Sequence, residues 1–477
     1  MIAQNIRNLI RIINRHFSRE SYAFDSSLLA DLLETAFLAS TITDEGRNVS
    51  CSISVFDLDH VITDAPEILR TDQWSILPLA DPLPLTPEHL ARISQAVRPH
   101  AGALAVRPTP EKRWSIWAII DQEHLIRGFR QHKGNKFYPR AGRFQVEVDS
   151  PGCIALYHNS VMLARLQRDS LTKDFQDVFH EGPLAEALDK LAEEHLSRVV
   201  RILRRWPVSS HGLDHKSSHK TIGVPESSFE VWFDRAKKRW LAALSGILLE
   251  MRQLHHGGAL LIIPRATFTH LNVKYKIDYR RMEEALAERC ASEMMALGYR
   301  HFGLETEDEE QVRLVLPELE EAEHRNADAA SAEAGALQFI ASLSGVDGLV
   351  LAVRGMSIRG FGVEILARQD PKIAFLASDA SGSTGEPINP TRWGTRHRSM
   401  MRYCVRHKGS IGFVVSQDGD VRAMMGVAEQ LLVWPNINLE RSAMLPFEIP
   451  CEHCSSVGEI VPIRLVDEDE IDGLPNA

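Results

Sequence analysis

No run in this 477-residue sequence approaches the ~18 consecutive apolar residues that a membrane-crossing helix needs, so no membrane span is expected. Cysteine is scarce. Six are scattered along the chain, which fits free thiols in a reducing cytoplasm better than a disulfide framework. A basic excess is also lacking: 54 Lys and Arg stand against 64 Asp and Glu, a formal net charge of -10, which argues against duplex nucleic acid as the main ligand. No solenoid-type repeat is visible. The amino-terminal MIAQNIRNLIRIINRHF lacks the continuous apolar core and cleavage site of a secretory signal, and reads as a folded or peripheral helix. What remains is a globular composition, 44% hydrophobic and 25% charged, with length for two or three domains.

Residues 1–206 read as mixed α and β. SSLLADLLETAFLAS (26–40) has helical spacing with Ser26 or Ser27 as a cap, and VSCSISVFD (49–57) alternates as a strand does. RFQVEVDS and GCIALYH (143–158) suggest a hairpin around Pro151-Gly152. A helix over 187–206 leads to a polar loop, 207–228. A second part, 229–304, has helices over 229–254 and 280–299 flanking the strand GALLIIP (258–264). Acidic and alanine-rich residues 305–332 suit an exposed helical connector. From 333 to 450 the rhythm is that of a separate α/β or α+β domain. Its strands are expected at 345–353, 357–366, 410–416 and 420–426, with a Gly-, Ser-, Pro- and Asp-rich loop from Gln369 to Pro390. Residues 451–477 form a carboxy-terminal tail.

The densest chemistry lies in GTRHRSMMRYCVRH (394–407), four arginines and two histidines within an acidic chain. Thr395 suits an N-cap, with Arg396, His397 and Arg398 in the first turn. Cations at a helix N-terminus are unfavourable unless an anion joins them, and an arginine fork matches phosphate oxygens. Arg398, Arg402 and Arg406 share a face at i, i+4, i+8, whereas Met400, Met401, Cys404 and Val405 can face a core. The bland alternative is a solvated helix face. Asp347, in Gly-Val-Asp-Gly before an apolar strand, suits a divalent metal or a hydroxyl partner, or simply a turn. Ser416, Asp418 and Asp420 read either as ordinary hairpin chemistry or, with the arginine helix, as part of a metal–nucleotide site. His211, His215 and His219 sit in a polar loop, and Cys451-Glu-His-Cys454 lacks a second pair, so neither reads as a metal site. Gly-Phe-Gly (360–362) falls inside a strand and is no dinucleotide fingerprint.

Asp347-Gly348, Gly394-Thr395-Arg396-His397-Arg398 and the strand-borne Val414-Val415-Ser416 together resemble the diadenylate cyclase (DAC) family, over about residues 333–450. More loosely, FLASTITDEGRNVS, the strands around Pro151-Gly152 and HGGALLIIP (256–264) resemble the DACNV-type sensor region that accompanies such domains. The resemblance implies a central mixed sheet flanked by helices, preceded by a mixed α/β sensor-like region. It implies condensation of two ATP into cyclic di-AMP with release of pyrophosphate, using Mg2+ or Mn2+, in a homodimer whose sites face each other. Carried over by position, Asp347, Arg396, His397 and Arg398 are the expected catalytic residues. Gly348, Leu349, Gly394, Thr395 and Ser416 are expected to line the ATP, with Asp347 and Asp418 at the metal. Two positions depart from the family pattern: Leu349 stands where many members have alanine, and Gln417 where many have an acid. The rival expectation is a non-catalytic nucleotide-binding module.

Overall fold

Two large sheets, one in each of two units, have central strands formed by runs of buried residues, such as the apolar GALLII and LVLAV of the second. The structure is a computed structural model. It describes residues 2–17, 25–55, 75–97, 102–121, 144–158, 161–173, 175–206, 229–254, 256–305, 309–417 and 419–439. Contacts divide the chain into one unit ending at Gln176 and a second beginning at Asp177. Both mix helices with strands, so the fold is mixed α/β.

The first unit carries an eight-stranded sheet in the order 170–173, 161–167, 153–158, 144–150, 51–55, 102–108, 114–121, 75–84. Only 51–55 and 102–108 run parallel; the 144–150 and 153–158 strands form the hairpin expected around Pro151-Gly152. Helices Ile2–Phe17 and Ser26–Ser40 bury Leu9, Ile13, Phe17, Leu32 and Leu33 in the same core as Ile53, Val146 and Leu156. The second of these helices is capped by Asp25, which accepts from the Ser27 N–H at 2.8 Å, not by Ser26 or Ser27. A carboxylate one residue earlier is the stronger acceptor for that orphan N–H.

The second unit begins with helices α1 (Gly182–Arg204) and α2 (Phe229–Gln253), then strands β1 (Gly258–Ile263) and β2 (Leu271–Tyr279). Helices α3 (Arg281–Glu305) and α4 (Glu309–Leu343) follow, then β3 (Leu349–Val353) and β4 (Ser357–Ile365). The chain continues through β5 (Ala374–Ala377), β6 (Gly385–Pro387), helix α5 (Thr395–Arg406), β7 (Ile411–Val415), β8 (Val421–Val427) and β9 (Gln430–Trp434). The nine strands pair in the order β2-β4-β3-β1-β7-β8-β9-β5-β6. β1 and β3 are parallel, as are β5 and β9; the other pairs are antiparallel.

The central strands β1, β3 and β7 are buried on both faces, as a near-continuous apolar strand such as LVLAV requires, whereas the edge strands β2 and β6 are largely exposed. Leu260, Ile262, Val350 and Phe413 face α1, α2 and α4; Leu261, Leu349, Leu351 and Val414 face α5. Two glycines let α5 sit directly on the strands. A side chain at Gly412 would collide with Met400, and one at Gly426 would place its Cβ 2.6 Å from the Cys404 carbonyl.

Three stretches differ in form from their sequence expectations. Within the expected connector, residues 309–332 are not bare and exposed, because α4 packs along α3 with Ala322, Ala329 and Ala330 buried. The strands β1 and β2 before that stretch join the same sheet as β3 and β4 after it. The loop from Gln369 to Pro390 contains the β5–β6 edge hairpin. Asp379 orders its turn by accepting from the N–H groups of Ser383 and Thr384 and from the Ser381 hydroxyl.

The four described cysteines are free and buried. Among the described residues no helix is long and apolar enough to cross a membrane.

Candidate functional site

Strand register brings the sequence candidates to one rim of the nine-stranded sheet. Val415, the last residue of β7, pairs with Gly258 at the start of β1 and with Val421 at the start of β8. Leu260 pairs with Val350 across the parallel β1–β3 contact, so Gly258 and Gly348 come level two residues earlier. The rim therefore carries His256 and Gly257 before β1, Asp347 and Gly348 before β3, and Ser416 and Gln417 after β7.

Gly348 is required by geometry. Its φ is +118°, and a Cβ there would lie 2.5 Å from the backbone carbon of Gly362. Asp347 is thus held at a tight backbone crossing, with its own side chain exposed. Lys274 of β2 has its pKa raised chiefly by its 2.8 Å ion pair with Glu364, and in part by the charge of Asp347. Tyr275 and Phe361 stack beside Gly362, ring centroids 4.8 Å apart, with Tyr275 50% exposed. Leu349 is only 5% exposed and sits in the core beneath α5, so at the rim it offers backbone alone.

The start of α5 is set one residue earlier than expected. Gly394, extended at φ -60° and ψ 159°, is the N-cap; its carbonyl accepts from the Arg398 N–H at 3.0 Å, and no side chain caps the helix. Thr395 is the first helical residue rather than the cap. The N–H groups of Thr395, Arg396 and His397 therefore precede the first helical bond and can serve an anion.

The expected triad of cations separates. Arg396 turns to the rim: a Cβ on Gly257 would lie 3.0 Å from its Nη1 and 3.2 Å from the Gln417 nitrogen. Arg398 turns the other way, gripping Asp370 through Nε at 3.0 Å and Nη2 at 2.6 Å. Arg402 Nε donates to the same carboxylate at 2.6 Å, and these two arginines hold Asp370 well below the usual carboxylate range. Arg406 is exposed.

His397 is not a cation at neutral pH. Burial first, then the charges of Arg422 and Arg396, lower its pKa from 6.5 to about 4. Its Nε2 accepts from Arg422 Nη1 at 3.0 Å, while Arg422 Nη2 donates to Asp420 at 3.0 Å and its guanidinium lies 5.3 Å from the Trp393 ring. The folded chain takes no proton at His397 until pH about 4, whereas an unfolded one does near 6.5. Its contribution to stability is thus full above 6.5 and lost as pH falls through 4. His397→Gln should flatten denaturant midpoints measured across that window; an unchanged slope would show an ordinary histidine.

Ser416 closes its own turn, its hydroxyl accepting from the Asp420 N–H at 3.1 Å. Asp418 lies outside the described residues, as do His211, His215, His219 and Cys451–Cys454. Among the described residues no group of three His, Cys, Asp or Glu could hold a metal ion. Mg2+ commonly takes one or two carboxylates and completes its shell with substrate phosphates and water. The exposed Asp347 fits that role; a protein-only cage does not fit the described residues.

Sequence reading missed Gly257, Asp370, Arg422 and Lys274. Asp370 carried a local signal, an acid in the loop feeding an arginine-rich helix. Gly257 carried none, since its place depends on pairing with β3, which lies far along the chain.

Residues 20–121 match the family model described as "Probable sensor domain DACNV". No curated protein matches the chain. The amino-terminal region is thus similar to a sensor domain, and the rim described here lies beyond the matched residues.

Proposed function

We propose that the chain is a diadenylate cyclase, joining two ATP into cyclic di-AMP with release of pyrophosphate, under control of its sensor-like amino-terminal region. The observation that carries this reading is the meeting of Asp347-Gly348 with Arg396 at one sheet rim, on either side of Gly257. Adenylyl transfer needs charge neutralisation on phosphate and in-line placement of a hydroxyl. Arg396 and the free N–H groups of α5 supply the first. Asp347, exposed at the tight crossing, supplies an acceptor for the 3′-hydroxyl proton. Each 3′-oxygen then forms a bond to the α-phosphorus of the opposite ATP, and the bond to pyrophosphate breaks. A divalent cation bound with the triphosphate at Asp347 would offset charge on the phosphates. The exposed Tyr275–Phe361 stack offers an aromatic face to a base.

A second reading has its own observation. Asp420, the described acid nearest Ser416 in the turn, is engaged by Arg422. Among the described residues Asp347, Ser416, Gln417 and Asp420, this leaves Asp347 as the carboxylate not engaged by an arginine, which suits a module that binds nucleotide and reports it without turnover.

The cyclase reading requires two chains. One chain carries one Asp347 and one Arg396-His397-Arg398 segment, so ring closure needs a two-fold encounter of rims. Below the dimer dissociation constant, the rate should rise with the square of enzyme concentration. Adding Asp347→Asn chains to wild type should suppress activity beyond simple dilution. Constant activity per chain in a demonstrably monomeric range would defeat the face-to-face mechanism.

A further inference from the structure

Away from that rim, α1, α3 and α4 enclose a cleft of about 550 Å3, a volume within the range of small-molecule sites. Its floor is alanine, Ala285, Ala329 and Ala332, and four arginines stand around it: Arg198, Arg201, Arg281 and Arg325.

Two of these arginines are committed. Arg325 donates to Glu288 at 2.7 Å and lies 3.9 Å over the Trp206 ring. Arg198 lies 2.6 Å from the buried Glu283. The other two are exposed, and among the described residues neither Arg201 nor Arg281 has an ion-pair partner. Glu284 and Asp328, on the same cleft, are likewise unpaired among those residues. Two uncommitted guanidinium forks above a small-residue floor match a phosphate group. The two free carboxylates match hydroxyl or amino donors on the same molecule.

The cleft connects to both ends of β3. Arg198 on its wall pairs with Glu283 behind it, and the Glu283 carboxylate abuts Gly355, where an added Cβ would lie 2.5 Å from Oε1, just after β3 ends. α4, which supplies Asp328, Ala329 and Ala332, ends at Leu343, and the turn Ser344–Gly348 runs from it into β3.

We propose that this cleft binds a small phosphorylated molecule with hydroxyl or amino donors, such as a sugar phosphate or nucleoside monophosphate, and that its occupancy sets the position of the Asp347 turn. This does not rest on the cyclase reading.

The test is calorimetric titration of the full chain with ribose 5-phosphate, which lacks a base, and with AMP. At least one should bind saturably. Arg201→Ala/Arg281→Ala, a surface double variant, should lose affinity by at least about tenfold, ~1.4 kcal/mol, whereas Arg396→Ala should retain it. Absence of binding by both probes, equal affinity in the double variant, or loss in Arg396→Ala instead would overturn the site. Bound ligand should also slow amide exchange at residues 344–348. Unchanged exchange at saturation would overturn the coupling.

Discussion

Asp347→Asn is expected to leave no dinucleotide product from ATP, while ATP affinity stays within about tenfold of wild type, ~1.4 kcal/mol. The substitution keeps the size of the side chain and removes its charge and its capacity to take a proton. Gly348 and the crossing with Gly362 are untouched, so the backbone at the rim should survive. In the proposed cyclase, triphosphate recognition would come mainly from the far side of Gly257, through Arg396 and the helix N–H groups. Loss of product with retained binding would mark Asp347 as acting on the reacting hydroxyl. Turnover like that of wild type would remove it from the chemistry altogether.

Arg396→Ala should weaken ATP binding by about 1.5–3 kcal/mol, roughly 10- to 150-fold, the value of a charge-assisted hydrogen bond. Arg398→Ala should behave differently, although it stands two residues away in the same motif. Its guanidinium is already satisfied by both oxygens of Asp370. Its removal should lower the melting temperature while leaving ATP affinity near that of wild type. Asp370→Asn should reproduce that result, since it strikes the same pair from the other side. Calorimetric titrations on the three variants check the pattern. Equal losses at Arg396 and Arg398 would mean that the segment acts as diffuse positive charge.

That contrast shows what the sequence could and could not disclose. Hairpins were legible where turn residues interrupt alternating strands, as at Pro151-Gly152 and at Ser416–Asp420. Helix α5 was legible from its core residues Met400, Met401 and Cys404, and the grouping of Asp347, Arg396 and Ser416 from motif resemblance. The helix cap was misplaced by one residue because Thr395 has the better capping side chain, yet the backbone turns at Gly394. The role of Arg398 was hidden because its partner, Asp370, lies across a loop. His397 counts as a cation in the sequence, but burial and two neighbouring guanidinium groups make it neutral in the fold. The place of β1 rests on pairing between segments separated by α3 and α4, which no local pattern encodes.

The most direct test of the account is incubation of the purified full chain with ATP and Mn2+, at concentrations where it self-associates, followed by chromatographic and mass analysis of the nucleotides. The account predicts cyclic di-AMP, with two pyrophosphates released per ring. Saturable ATP binding with no dinucleotide formed under those conditions would contradict it, and would make the chain a nucleotide-binding module.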